Sequence, residues 1–189
     1  MSHAPVPAAS VRPVLADLLP GERVRDVVLI GTFALAIALS AQLAFPLPGT
    51  PVPVTGQTFV VLLGAAALGP GRGVMGAGLY GVIGLLGVPW FAVTGGASLG
   101  YVAGFVAAAW VVGRFARAGA LATWRGAATA MVVGNLVIYT LGATVLALVL
   151  GVGPQAALAM GVAPFLLGDL VKVAAATALL PAAQRLLDR

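Results

Sequence analysis

The sequence contains no cysteine and very little charge. Of its 189 residues, ten are Lys or Arg, five are Asp or Glu and one is His. Without cysteine the chain forms neither a disulfide nor a thiolate metal site, and it offers no Cys nucleophile. Charged residues make up 8%, far below the quarter that is typical of soluble domains, whereas 61% are hydrophobic. This balance is typical of a protein that lies in a bilayer.

Residue arrangements that would indicate catalysis are also missing. The single lysine, Lys172, follows Asp-Leu-Val and not the glycine-rich loop that binds ATP phosphates. The single histidine, His3, lies in the polar N-terminal segment, and the apolar stretches contain one aspartate away from their ends, Asp169. Serine–histidine, paired-aspartate and multi-histidine centres are therefore excluded from these stretches. We predict that the chain is not an enzyme and uses no cofactor or metal.

Long apolar stretches predict an all-α membrane protein with six transmembrane helices, each near the length of about 20 residues that a bilayer requires. The predicted spans are 26–45, 56–70, 73–89, 97–113, 126–150 and 155–181. Gly-Pro-Gly-Arg-Gly, residues 69–73, joins the second span to the third, so we predict two short helices with a tight reversal between them. The spans form one domain over residues 26–183. Residues 1–25 and 184–189 are predicted to be tails, the first of them disordered.

Arginines predict the orientation of the chain, because cytoplasmic loops collect Lys and Arg. If the N-terminus is inside, six spans place every arginine of the tails and connections on the cytoplasmic side. These are Arg12, Arg23, Arg25, Arg72, Arg114, Arg117, Arg125, Arg185 and Arg189. Both termini are therefore predicted to be cytoplasmic, and the first span, too long for a signal peptide, is a retained helix. The same bias accounts for the net charge of +5 without a nucleic acid partner.

Asp169 and Lys172 are the two charged residues within the last predicted span. A charge near the bilayer centre costs about 3 kcal/mol on insertion scales, so such residues generally face a bundle interior or a cavity. At i, i+3 they share a helix face and can neutralise each other. A pocket for a small, mostly apolar ligand needs a few polar groups of this kind. The candidates are Gln57, Tyr101, Asn135, Tyr139, Asp169 and Lys172.

Each candidate also permits a structural role. Asp169 and Lys172 would then be an ion pair that holds helices together, and Asn135 would form a hydrogen bond between helices. Tyr101 and Tyr139 would be packing aromatics whose hydroxyls are satisfied. The residues by themselves leave both interpretations open.

Small residues recur at four-residue spacing, which lets helices approach closely in lipid. Gly96, Gly100 and Gly104 follow this spacing, as do Ala34 and Ala38 in the first span. The alanine pair would serve either the chain's own packing or contact with a helix of a partner. The first connection lies between spans 26–45 and 56–70, and the third lies between spans 73–89 and 97–113. Both are rich in Pro and Gly, and they either close over the mouth of the bundle as a lid or simply reverse the chain at the membrane interface.

Several motifs together resemble the BioY family across residues 28 to 182. They are Gly49-Thr-Pro-Val-Pro-Val-Thr-Gly-Gln57-Thr, Leu68-Gly-Pro-Gly-Arg-Gly73, Gly-Leu-Leu-Gly-Val-Pro-Trp90, Gly100-Tyr101, Val137-Ile-Tyr139 and Gly168-Asp169-Leu-Val-Lys172. BioY proteins are the biotin-binding S components of energy-coupling factor (ECF) transporters. The resemblance implies six helices in a bacterial plasma membrane, a biotin pocket open to the outside, a transmembrane coupling partner and two cytoplasmic ATPases.

The resemblance also ranks the site residues. It implies that Asp169 and Lys172 bind the ligand, with Tyr101 and Gln57 next. The third connection departs from the family pattern, being short and lacking Pro-Thr before Gly-Tyr. Its candidate contacts are Thr94, Gly95 and Gly96. Ala34 and Ala38 are the candidate contacts for the coupling partner.

Two other functions fit the same residues. An S component for another vitamin would differ only in its substrate. An oligomeric channel or a membrane scaffold would instead use Asp169 and Lys172 as a clamp between helices.

Overall fold

The computed structural model describes residues 22–91 and 96–187. Six α-helices and one short two-stranded ribbon make up most of these ranges. They are α1 (Glu22–Ala41), β1 (Ala44–Phe45), β2 (Val54–Thr55), α2 (Gln57–Leu85), α3 (Leu99–Arg117), α4 (Trp124–Leu150), α5 (Pro154–Gly161) and α6 (Ala163–Leu187). The predicted N-terminal tail lies largely outside the described residues, although α1 starts four residues before the predicted first span. The predicted C-terminal tail, 184–189, begins within α6, which continues to Leu187.

Within the described part of the chain, five helical segments are long and apolar enough to cross a bilayer. They are Arg23–Ala41, Gln57–Leu85, Gly96–Arg117, Trp124–Leu150 and Ala163–Pro181. The chain is therefore a mostly helical, multi-pass membrane protein.

The longest of these segments, α2, folds back on itself at Gly69. This residue has φ 78° and ψ 178°, values outside the helical region that glycine adopts readily, and Pro70 follows it. A Cβ on either Gly64 or Gly76 would meet the ring of Phe33 in α1, so both halves of α2 pack against the same side chain. In a straight helix those two glycines would lie about 18 Å apart. The structure therefore contains the predicted reversal between two short helices.

Close packing at the backbone fixes this hairpin within the bundle. Gly113 of α3 leaves so little room that an added Cβ would lie 2.4 Å from the Pro70 nitrogen. At the same end of the bundle, the Arg72 Nε donates to Asp26 Oδ1 over 2.8 Å, which ties the turn of α2 to the start of α1. The turn is therefore held from two sides.

The last predicted span, 155–181, is not one helix. It divides at Val162, whose φ of −128° and ψ of −56° end α5 before α6 begins. The break leaves the Gly161 carbonyl without its usual intrahelical partner, and the Tyr101 hydroxyl donates to it over 2.6 Å. The all-α prediction also missed the ribbon, in which Ala44 pairs with Thr55 and Phe45 with Val54.

The interior is built largely from alanine and glycine. Gly100 and Gly104 of α3 lie against the α4 backbone, at the Leu141 carbonyl and at Ile138. Lipid provides no hydrophobic driving force for helix association, so van der Waals contact between closely packed helices takes its place. Ala34 and Ala38 are 1% and 0% exposed, so their side chains belong to this interior.

Candidate ligand-binding site

A cavity of about 350 Å³ lies between the helices and the first and third connections. This volume is within the range of small-molecule pockets, about 300–1,000 Å³. Its polar and tyrosine lining residues are Gln42, Thr55, Gln57, Thr58, Tyr80, Ser98, Tyr101, Tyr139, Asp169 and Lys172. Its other lining residues include Val52, Trp90, Val102, Phe105 and Phe165. The cavity therefore combines apolar and aromatic walls with a defined group of polar side chains.

Asp169 is the most deeply buried charged residue of the lining. It is 4% exposed, and helix α6 presents it toward α2 and α4. Its Oδ1 accepts from Lys172 Nζ over 2.7 Å and from Thr58 Oγ1 over 3.0 Å. Its Oδ2 accepts from the Tyr139 hydroxyl. Three side-chain donors therefore fix the orientation of this carboxylate at the wall of the cavity.

Lys172 lies one helical turn along α6 and completes this network. Besides Asp169, its ammonium donates to the Thr55 carbonyl over 2.8 Å and to Thr58 Oγ1 over 3.0 Å. Thr55 lies in β2 and Thr58 in the first turn of α2. The lysine thus connects α6 to the first connection and to the start of α2.

A second polar group lies at the start of α2. The Gln57 Nε2 donates to the Tyr80 hydroxyl over 2.7 Å, which is possible only because α2 folds back. The Gln57 Oε1 accepts from Thr55 Oγ1 over 3.0 Å. Thr55 therefore contacts both polar groups, one through its carbonyl and the other through its hydroxyl.

Aromatic rings form much of the remaining wall. Tyr101 and Phe165 meet edge to face, with ring centroids 6.2 Å apart, and Phe105 is buried one turn along α3 from Tyr101. The Tyr101 hydroxyl is bonded to the Gly161 carbonyl, so the residue presents mainly its ring to the cavity. Such surfaces suit the apolar part of a ligand.

The connections meet above the cavity at Trp90. The Gln42 Nε2 at the end of α1 donates to the Trp90 carbonyl over 3.1 Å and so joins the first connection to the third. Trp90 has φ 76°, a conformation that costs a residue other than glycine about 1–3 kcal/mol. Trp90 lines the cavity, and 61% of the residue is exposed. This strained backbone conformation lies at Trp90, where the first and third connections meet over the cavity.

Comparison with known proteins identifies the family. The family model for the BioY family matches residues 9–189. Among curated relatives, a biotin transporter BioY from Thermotoga maritima is 34% identical over 159 residues, covering 80% of this chain and 91% of the relative. Another from Rhodobacter capsulatus is 37% identical over 171 residues, covering 79% of this chain and 87% of the relative.

The chain belongs to the BioY family. Its fold matches a crystal structure of the S-component for biotin from an ECF-type ABC transporter, with a TM-score of 0.76. The match covers 87% of this chain and 93% of that one at 20% identity. The helical arrangement described above is thus shared with that S-component.

Most of the predicted BioY site residues converge on the cavity. Gln57, Tyr101, Tyr139, Asp169 and Lys172 all line it.

The other predicted residues lie elsewhere. Asn135 is one turn from Tyr139 on α4, outside the lining, and its buried Oδ1 has no hydrogen-bond partner in the described structure. Gly96 lies against Val149 of α4 and does not line the cavity. Thr94 and Gly95 lie outside the described residues. Ala34 and Ala38, the predicted partner contacts, are buried within the chain.

Sequence reasoning did not single out Thr58, Tyr80 or Gln42 as site residues. Thr58 is within the recognised Gly-Gln57-Thr motif, so the motif was a signal that could have indicated it. Tyr80 lies in a glycine-rich span whose spacing indicates packing alone. Gln42 joins Trp90, 48 residues away in the sequence, and no local pattern predicts that contact.

Proposed function

We propose that this chain is the biotin-binding S component of an ECF-type vitamin importer. The observation that carries the proposal is the Asp169–Lys172 pair, placed beside a cavity with aromatic walls instead of against lipid or in a sealed interior. A buried ion pair that only braced helices would need no adjoining space. The names of the BioY relatives support the same substrate.

The chemistry of the cavity matches biotin part by part. Biotin has a ureido ring with two N–H donors and one carbonyl acceptor, an apolar thioether ring and a carboxylate at the end of an aliphatic chain. Asp169 is an acceptor for N–H groups, and the Gln57–Tyr80 group has donors for oxygen atoms. The rings of Tyr101, Phe105 and Phe165 fit the apolar part.

The chain has no phosphate-binding loop, so ATP hydrolysis that drives transport takes place in a partner. The proposed importer contains a transmembrane coupling subunit and two cytoplasmic ATPases, and it lies in the bacterial plasma membrane. Biotin is captured outside, and the S component reorients when the ATPases act on the coupling subunit.

The proposed topology has six spans, with α2 contributing two, and both termini in the cytoplasm. The turn of α2 carries Arg72 and lies beside the start of α1, whereas the cavity is formed with the first and third connections. Arginine at one end and the ligand space at the other support a cavity that opens to the outside.

Competition of labelled biotin on the purified chain tests this proposal. We expect unlabelled biotin to displace the label and a hundredfold excess of thiamine or riboflavin to leave it bound. Displacement by another vitamin would assign a different substrate. Folded protein that binds no biotin would instead favour a channel or a scaffold.

A further inference from the structure

The hydrogen bonds of Lys172 occupy all the protons of its ammonium group. An ammonium has three donors. They go to the Thr55 carbonyl, Thr58 Oγ1 and Asp169 Oδ1 over 2.8, 3.0 and 2.7 Å. A ligand oxygen could bind Lys172 only by displacing one of these three acceptors, and a displaced Asp169 would then lack its cation.

The hydrogen bonds of Asp169 leave room for a ligand. A carboxylate has about four lone-pair positions. Lys172 and Thr58 occupy two of them on Oδ1, and Tyr139 occupies one on Oδ2. Among the described residues no further donor reaches Oδ2, so one acceptor position remains on this atom of a residue that lines the cavity.

Thr58 closes the network into a ring. Its single hydroxyl proton goes to Asp169 Oδ1, and a lone pair of the same oxygen accepts from Lys172. The first turn of α2 thereby fixes both charged groups of α6 relative to each other. A valine has the same shape as threonine but could make neither bond.

We propose that Thr58 and Lys172 are positioning residues that act on the ligand through Asp169. In this assignment Asp169 accepts an N–H of the ligand, and Lys172 is the counter-ion that holds the carboxylate in its orientation. The assignment rests on the proposed function, because the N–H group is that of the biotin ureido ring. It implies that Lys172 is not the receptor of the ligand carboxylate.

Two ligands separate this role from direct carboxylate binding: biotin and its primary amide, in which a carboxamide replaces the carboxylate. We expect Lys172→Met to weaken both ligands by the same factor, about tenfold to a hundredfold, which corresponds to a lost hydrogen bond to a charged group. If Lys172 binds the carboxylate, the substitution would weaken biotin much more than the amide. That result would overturn the proposal.

Thr58 is tested by the pair Thr58→Val and Thr58→Ser on purified full-length chain. We expect about a tenfold loss of biotin affinity in the valine variant and recovery to within about threefold in the serine variant, which retains the hydroxyl. The double variant with Lys172→Met should lose less than the product of the two single losses, because both residues act through one carboxylate. Wild-type affinity in Thr58→Val, or losses that multiply, would contradict the assignment.

Thr144→Val is the matched control. Thr144 is exposed on α4, and its hydroxyl bonds to the Thr140 carbonyl of the same helix, away from the cavity. If Thr58→Val does not fold, Thr58→Ala takes its place, and the comparison of the two ligands on Lys172→Met decides the question independently. Failure of the wild-type chain to bind biotin would refute the proposed function itself, whereas the outcomes above bear on Thr58 and Lys172.

Discussion

The polar network around Asp169 joins three helices through four side chains. α6 contributes the carboxylate and the ammonium, α2 contributes Thr58, and α4 contributes Tyr139. In a bilayer such a network must satisfy nearly all its donors and acceptors, since an unpaired polar group in a low-dielectric interior is costly. The network therefore fixes the geometry of the one acceptor position that it leaves open.

Tyr139→Phe is the mildest change that tests this network. The substitution keeps the ring and removes the donor to Asp169 Oδ2, so the carboxylate is held by one fewer group. We expect biotin affinity to fall about tenfold, the effect of a lost hydrogen bond to a charged group. Equilibrium binding of biotin measures this loss of affinity. Thr140→Val is the control, because the Thr140 hydroxyl bonds within its own helix. Unchanged affinity in Tyr139→Phe would mean that Asp169 is oriented without this tyrosine.

At the scale of elements, glycines determine how closely the helices approach. Gly113 lies against Gly69 and Pro70, where a Cβ would clash with backbone atoms that cannot move aside. Gly78 lies in the second half of α2 with nothing within 4 Å of the position its Cβ would take. The two glycines therefore have opposite expected responses to the same substitution.

We predict that Gly113→Ala destabilises the chain by about 1–3 kcal/mol, the usual range for overpacking. Gly78→Ala is expected to be neutral or stabilising, because alanine is the better helix former by about 1 kcal/mol. The midpoint of thermal unfolding of each purified variant in detergent measures the difference. Equal midpoints would show that the α2 turn does not pack tightly on α3.

Sequence patterns predicted the helices well, but they predicted only some of the points at which a helix is interrupted. The reversal in α2 was predictable because Gly-Pro-Gly-Arg-Gly is a local breaker signal. The break at Val162 was not, since the residues on both sides are equally apolar and the Tyr101 hydroxyl that caps Gly161 is 60 residues away. The ribbon of β1 and β2 is two residues long per strand, too short for an alternating pattern.

The residues that line the cavity were predictable to a similar degree and for a similar reason. Asp169 and Lys172 contrast with an apolar span, so the cost of burying their charge predicted that they face the bundle interior or a cavity. Thr58 and Tyr80 are uncharged, so they do not stand out from their neighbours in the sequence. Their places in the cavity wall depend on the folding back of α2 and on the approach of α6. The prediction for Ala34 and Ala38 met a different limit. A small-residue pattern does not distinguish packing within the chain from contact with a partner, and both side chains are buried within the chain.

At the scale of the whole molecule, the absence of cysteine allows the proposed orientation to be tested directly. Gly71 and Gly153 are exposed, and a Cβ at either position would meet nothing within 4 Å. Each can therefore carry a single introduced cysteine in an otherwise thiol-free chain. The proposed topology places Gly71 in the cytoplasm and Gly153 outside.

We predict that Gly153→Cys reacts with a membrane-impermeant maleimide in intact spheroplasts, whereas Gly71→Cys reacts only after the membrane is opened. The cysteine-free parent chain is the control for non-specific labelling. Labelling of Gly71→Cys from outside, or of both positions from one side, would contradict the six-span topology.

The most direct test is an equilibrium binding isotherm for biotin on the purified wild-type chain, with Asp169→Asn titrated beside it. Asparagine keeps the shape of the side chain and removes the charge that the network holds toward the cavity. We predict saturable binding of one biotin per wild-type chain and at least about a tenfold weaker isotherm for the variant. Folded wild-type protein without saturable binding, or superimposable isotherms for the two proteins, would contradict the assignment of this cavity to biotin.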